Sequence, residues 1–269
     1  MFYLKRKKKA IEALENAETT YKNLGTLANN EAIALYNLRK GCSVAINNVE
    51  AYLALLSNSP LNYKKEVASV QVCIKDFNEA VKIEKEYSSG QTIEAVISGA
   101  CLNGSSAIDA IGPIAAMTIA TTFGKESTRS AIASLSVAGA INTASALGVG
   151  AAMATGQAFL SIVGGPVAWG LFGVDRGLSF IRKTKKDAEE AEQALCNVKP
   201  ILADLECKLQ ELRNLYTETD KLLPSICIST MCNGFPKDYD EFTEDQKLRL
   251  GALINSTKAM GVLINKRIS

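Results

Sequence analysis

From Ser130 to Val174 the chain carries no Asp, Glu, Lys or Arg, a run of forty-five residues built mostly of Ala, Gly, Ser and Thr with scattered Leu, Ile, Val and Phe. A surface helix presents charge every turn or two, so a segment this long is buried in protein, in lipid, or in each at different times. Its pattern narrows the choice. Ser136, Ala140, Ala144, Gly148, Ala152 and Gly156 recur every four residues, and upstream Gly112, Ala116, Ala120 and Gly124 do the same. On a helix each set is a flat strip of small side chains, the small-xxx-small surface on which another backbone can approach closely. Glycine costs a helix about 0.8 to 1 kcal/mol relative to Ala, so such strips call for close packing to offset them. Gly124-Lys125-Glu126-Ser127-Thr128-Arg129 separates the two strips and reads as the turn of a helical hairpin.

The margins of this region carry the remaining polar signals. Asp109 stands in a mild apolar setting just before Gly112-Pro113, where a helix breaks or kinks. It reads either as a helix cap or solvent-facing acid, or as a protonation switch, since an ionised Asp at a bilayer centre costs roughly 2.5 to 3.5 kcal/mol on insertion scales. At the other margin Gly164-Gly165-Pro166 forces a break, Trp169 follows, and Arg176, Arg182, Lys183, Lys185 and Lys186 come after it. A tryptophan followed by cations fits a membrane interface on the cytoplasmic side, and equally a solvated helix end with a core Trp.

Outside the apolar zone the pattern is heptad. Leu35, Leu38, Cys42, Ala45, Val49, Tyr52 and Leu56 alternate steps of three and four, with a looser continuation upstream through Ile11, Leu14, Tyr21, Leu24 and Ala28. Gly25 and Gly41 inside this helix are weak points or places of close approach. Ser57-Asn58-Ser59-Pro60 ends it, and a second helix from about Leu61 to Tyr87 carries Tyr63, Val67, Val70, Ile74, Phe77 and Val81. The cleanest seam lies past the apolar zone: Ala188, Ala191, Leu195, Val198, Leu202, Leu205, Leu209, Leu212, Tyr216, Thr219 and Leu223, with a kink expected at Pro200 and a stop at Pro224. Thr243-Glu244-Asp245-Gln246 reads as a capping box opening a last helix that buries Leu250, Leu253, Ile254, Met260, Leu263 and Ile264.

The expected fold is therefore all-α: an elongated, coiled-coil-like antiparallel helical bundle with a central hydrophobic helical hairpin. Residues 1–90 supply an N-terminal long helical hairpin, 91–175 the Ala/Gly-rich apolar hairpin, and 176–269 a long helix and a closing helix.

Composition prunes the functional classes. Histidine is absent, which removes Ser-His, Cys-His and H-E-x-x-H chemistry. No phosphate-binding glycine loop follows a strand, and no acidic cluster has metal-ligand spacing. The seven cysteines, Cys42, Cys73, Cys101, Cys196, Cys207, Cys227 and Cys232, are odd in number, scattered and without a C-x-x-C pair, so neither a zinc site nor a disulfide framework is expected. Neither an enzyme, a cofactor nor a small-molecule substrate is expected. Lys5 to Lys9 and Arg182 to Lys186 read as solvated helix ends, and with a net charge of +2 nucleic acid is not an expected partner. The segment after Lys9 is amphipathic, not the apolar core of a signal peptide, so cytoplasmic synthesis without one is the expectation, the product soluble or membrane-associated.

The segment from Ala120 through Phe123-Gly124-Lys125-Glu126-Ser127-Thr128-Arg129 to Ser136, with the Ala/Gly run to Gly164-Gly165-Pro166-Val167-Ala168-Trp169-Gly170, resembles a segment of largely uncharacterised bacterial coiled-coil proteins, in which helical arms flank it. In architecture the chain is also similar to α-helical pore-forming toxins of the cytolysin A and haemolysin BL type and to apolipoprotein L-like proteins. That resemblance implies a hydrophobic segment held against a bundle and released into membranes. Two functions follow as expectations. In the first, the apolar hairpin inserts conditionally into a bilayer to form a pore or perturb the membrane, as a toxin or defence effector does. In the second, the hairpin is a permanent core and the heptad arms recruit a helical partner or a second copy.

Overall fold

A computed structural model describes residues 2–90, 118, 121–123 and 188–268 of the chain. The fold is all-α: among the described residues the chain forms helices and turns, with one isolated bridge between Ser57 and Asp238 and no strand. Helix α1 spans Phe2–Leu55, α2 Leu61–Cys73, α3 Lys75–Gly90, α4 Ala188–Leu222, α5 Ile228–Met231 and α6 Glu244–Asn265. Short 3-10 turns at Leu223–Ile226 and Tyr239–Glu241 join the later helices.

Each boundary has a local cause. Proline is missing from the chain until Pro60, and α1 runs unbroken through Gly25 and Gly41. It stops where Asn58 takes a left-handed backbone (φ 52°), a conformation Asn tolerates better than most residues, two positions before Pro60. The second helix expected from the sequence is divided at Ile74 (φ −89°, ψ 7°) into α2 and α3. The division is slight, because Ile74 N–H still donates to Val70 O at 2.9 Å and Asn78 N–H to Ile74 O at 3.0 Å. Helix α4 carries Pro200 in its interior without ending, and stops just before Pro224, which opens the 3-10 turn. The capping box at the start of α6 is formed: the Thr243 hydroxyl accepts from Gln246 N–H, and the Gln246 side chain accepts from Thr243 N–H at 2.9 Å.

The described residues fall into two compact units, one of residues 34–82 with 213–267, the other drawn from 1–33, 83–212 and 268–269. Both the N-terminal and the C-terminal helical blocks contribute to each unit.

In the first unit the core is Leu35, Tyr36, Cys42, Ile46, Val49, Leu53 and Leu56 from α1, Val67, Val70, Ile74 and Phe77 from α2 and α3, Leu215 from α4, and Leu250, Leu253, Ile254, Met260 and Ile264 from α6. Helix α1 meets α2 and α3 in opposite sense, with Tyr36 against Phe77 (centroids 5.7 Å apart) and Asn47 accepting from Gln71 at 2.7 Å. Helices α2 and α6 run the same way: Tyr63 lies by Gly251, Val70 by Gly261, and Asn265 donates to Cys73 O at 2.9 Å. Where α1 ends, Ser57 N–H donates to Lys237 O and Tyr239 N–H to Ser57 O, both at 3.0 Å, while the Asn58 amide donates to both Asp238 oxygens.

In the second unit α1 buries Ala10, Leu14, Ala17, Tyr21, Ala28 and Ala32, and α4 buries Ala194, Val198, Leu205, Leu209 and Leu212. Arg6 donates to both oxygens of Glu192, at 2.9 and 2.6 Å, an exposed fork that holds the Glu192 carboxyl below its ordinary range and adds little to stability. Ile268 N–H donates to Thr122 O at 3.0 Å.

One correction concerns register. The expected α1 seam placed Leu38, Ala45 and Tyr52 in the core, and these are only half-buried. The buried set is Leu35, Arg39, Cys42, Ile46, Val49, Leu53 and Leu56, so the second track sits one residue later and runs through an arginine. Ile46 and Leu53 bury more apolar surface than Ala45 and Tyr52, which favours this phase once Arg39 has acceptors. On α4 the slip is in the other direction, one residue earlier, with Leu215 in place of Tyr216 and Ala194 in place of Leu195.

Candidate functional site

The two strips expected to mediate close helix packing, Gly112, Ala116, Ala120 and Gly124 with Ser136, Ala140, Ala144, Gly148, Ala152 and Gly156, lie outside the described residues. So do Asp109, Trp169, Arg176, Arg182, Lys183, Lys185 and Lys186. At the edge of the first strip Thr118, Thr122 and Phe123 are described and buried, with the Thr121 hydroxyl donating to Thr118 O. Among the described residues no helix is long and apolar enough to cross a membrane, and no three His, Cys, Asp or Glu side chains gather to hold a metal ion.

The most deeply buried charged side chain described is Arg39, with no exposed surface. Its Nη2 donates to the carbonyls of Leu263 (3.0 Å) and Lys266 (2.5 Å) at the C-terminal end of α6. The last turn of a helix leaves its carbonyls without intrahelical donors and carries negative partial charge, so a guanidinium is well matched to it. Asn265 secures the same turn by donating to Cys73 O and to Gly261 O, and Lys266 pairs with Glu218 at 3.2 Å. These contacts fasten α6 into its unit. Sequence patterning missed Arg39 because a charged residue disqualifies a seam position.

The six described cysteines are free thiols in contrasting environments. Burial pushes the Cys42 thiol up to about 12, with Arg39 opposing and Asp220 reinforcing the rise. Burial also raises Cys232, beside which the Tyr52 phenol is pushed up to about 12. Cys227, half-buried, is shifted down by hydrogen bonds from Ser229 and Thr230, with Ser229 Oγ 3.1 Å from its sulfur. Because the thiolate is the nucleophile, a lowered value raises the reactive fraction near neutral pH. In native protein treated with limiting maleimide at pH 7, Cys227 is expected to label ahead of the exposed Cys73, Cys196 and Cys207. Cys42 and Cys232 stay unmodified until denaturant is added, as peptide mass mapping would read out. Labelling of Cys42 at the rate of an exposed thiol would contradict its burial.

Helix α6 presents a second, outward face. Leu248, Ala252, Asn255, Ala259 and Val262 follow one another at steps of four and three, all of them exposed, with Leu248 74% and Val262 64% accessible. A solvent-facing stripe on an amphipathic helix ordinarily carries charge, whereas this one has none over four turns. Sequence reading passed over it because the inward face of the same helix, Leu250 to Ile264, accounted for its strongest apolar residues.

Comparison of the chain with protein-family models, with curated proteins and with solved structures found no match.

Proposed function

We propose that the protein is a membrane-active helical protein in which a bundle carries an Ala/Gly-rich segment that inserts conditionally into a bilayer. The observation that carries this reading is the charge-free run from Ser130 to Val174 with its small residues at every fourth position. A spanning helix needs about 20 residues at 1.5 Å each, and the run is long enough for one pass or, broken near Gly148-Val149-Gly150, for two. Its moderate apolarity favours triggered over constitutive entry. The toxin-like use belongs to this same reading, with self-association of small-residue strips in the bilayer as the means of making a pore.

Dye release from anionic and neutral vesicles tests it. Leakage by the parent protein, lost in Gly148→Leu and Gly156→Leu variants that keep the parent's helical circular dichroism, is the expected result. Absence of leakage across lipid composition, pH and salt would reject the proposal.

The outward face of α6 favours a second reading, a helical interaction protein in which the uncharged segment is a permanent core. Under it the protein stays in the aqueous phase with vesicles present and associates through its helices.

A further inference from the structure

We propose that Asn233-Gly234 is a site of self-modification, where the Gly234 amide nitrogen attacks the Asn233 side chain and converts it to an acid, and that the lengthened product loosens the connector after α5. The proposal rests on this connector and holds whether or not residues 130–174 enter a bilayer.

The dipeptide occurs at 103–104 and at 233–234, and the second copy is described and exposed. Phe235 N–H donates to Cys232 O at 3.2 Å, which closes a turn with Asn233 and Gly234 at its centre. Gly234 takes φ 74°, the left-handed backbone that glycine meets without strain at the third position of such a turn. A Cβ at Gly234 would meet nothing within 4 Å, so no neighbour stands against an attack at this backbone. Among the described residues neither the Gly234 N–H nor the Asn233 amide is held by a hydrogen bond. Asn58 is the contrast: Ser59 follows it, and its amide donates to both Asp238 oxygens at 3.0 Å.

The reaction is internal to the chain. The Gly234 nitrogen gives its proton to hydroxide and bonds to Asn233 Cγ, while the bond from Cγ to the side-chain nitrogen breaks and ammonia leaves with a proton from water. Water then opens the resulting five-membered imide. Breaking the new bond gives Asp on the original backbone; breaking the old main-chain bond gives isoaspartate, whose backbone runs through Cβ and Cγ and is one methylene longer. In sum water is consumed and ammonia released, with no oxidant or co-reactant.

The two products differ in what they do to the turn. Its ends are fixed: Cys232 is buried, and the Phe235 ring lies 5.1 Å from Phe242 with Arg249 5.4 Å over its face. A further methylene between fixed ends breaks the closing hydrogen bond and displaces Cys232 from its burial. Asp keeps the chain length and changes only charge at an exposed position, a mild change.

Peptide mass mapping of the whole chain, aged at physiological temperature, tests this against the same protein aged in urea. Cys232 and Asn233 lie between Lys221 and Lys237, so one tryptic peptide carries both readouts. Acid at position 233 should accumulate in the folded protein, faster as pH rises, and more slowly than in urea because the turn must open for Cγ to reach the nitrogen. Asn58 should stay intact in the folded protein. Without denaturant, maleimide should reach Cys232 in the isoaspartyl fraction, which chromatography separates from the Asp peptide of equal mass. It should not reach Cys232 in fresh Asn233→Asp protein, nor in Asn233→Gln protein aged alongside, whose longer side chain closes no five-membered ring. Asn233 intact in the folded protein once the urea sample is converted would overturn the site. Cys232 protected in the isoaspartyl fraction, or equally reactive in Asn233→Asp, would overturn the loosening by added chain length.

Discussion

Substitution of Arg39 by alanine is expected to remove about 3 to 5 kcal/mol of stability, the range of large-to-small core changes compounded by loss of the guanidinium donor to Lys266 O and to Leu263 O, the latter keeping the Lys266 N–H. The residue has no exposed surface, and its guanidinium reaches two carbonyls where α6 ends, so both packing and polar satisfaction fail together. Arg39→Met separates the two contributions. It keeps most of the stem's volume and gives up only the donors, for an expected loss of about 2 to 3 kcal/mol, the scale of charged hydrogen bonds and orphaned acceptors. Urea unfolding followed by circular dichroism measures both, compared at constant m. A methionine variant within about 0.5 kcal/mol of the parent would mean that the carbonyls of Leu263 and Lys266 find other donors or water. Total stabilities of about 5 to 15 kcal/mol make the alanine change a threat to folding at physiological temperature.

Two glycines inside helices are expected to respond to alanine with opposite signs. A Cβ at Gly261 would stand 2.7 Å from Val70 Cγ1, with Ile74 also within 4 Å, whereas a Cβ at Gly41 meets nothing within 4 Å. Val70 is β-branched and packed, so its methyl cannot swing away cheaply. Overpacking of this kind costs about 1 to 3 kcal/mol, against a helix-propensity gain of about 1, so Gly261→Ala should be destabilising by up to about 2 kcal/mol. Gly41→Ala should gain nearly the full propensity difference, about 0.8 to 1 kcal/mol. Pairing Gly261→Ala with Val70→Ala removes the obstructing methyl. In that background the added Cβ should turn from destabilising to stabilising, a coupling that a double-mutant cycle reads directly. If Gly261→Ala stabilises the parent, α2 and α6 are not as close as described.

These residues also mark what patterning can and cannot read. Leu14, Tyr21, Ala28, Leu35, Cys42, Val49 and Leu56 form one unbroken seven-residue track in the core, and all seven were expected there. The other track was misplaced by one residue, because Arg39 looked unfit for burial and Ala10 and Gly25 were passed over for the larger Ile11 and Leu24. Burial follows geometry along a helix, and a charge or a small side chain at a seam position is admitted when a neighbour supplies acceptors or comes close. Tertiary partners decide that, and a linear pattern does not contain them. Gly25 and Gly41 read as weak points or places of close approach; Gly41 has open space beside it, and Gly261 is where α2 presses on α6. The ends of the helices were the most legible features, since Asn58, Pro60, Pro224 and the Thr243 capping box act through adjacent backbone atoms. The packing strips of the apolar zone and the acid at its entrance fall outside the described residues, so the sequence remains the basis for what is proposed of them.

The unit made from residues 34–82 and 213–267 has an order of assembly imposed by synthesis. Its first part leaves the ribosome long before its second, separated by residues 83–212, whose translation takes roughly 7 to 26 seconds at 5 to 20 residues per second. Throughout that interval Leu35, Ile46, Val49 and Leu53 have only the α2 and α3 side of their core to lie against, and the carbonyls that Arg39 will meet have not been made. The clasp of Ser57 and Asn58 on Lys237, Asp238 and Tyr239 closes a loop of most of the chain, a late and entropically costly event. The uncharged segment is thus translated while residues 34–82 still lack the partners that residues 213–267 will supply.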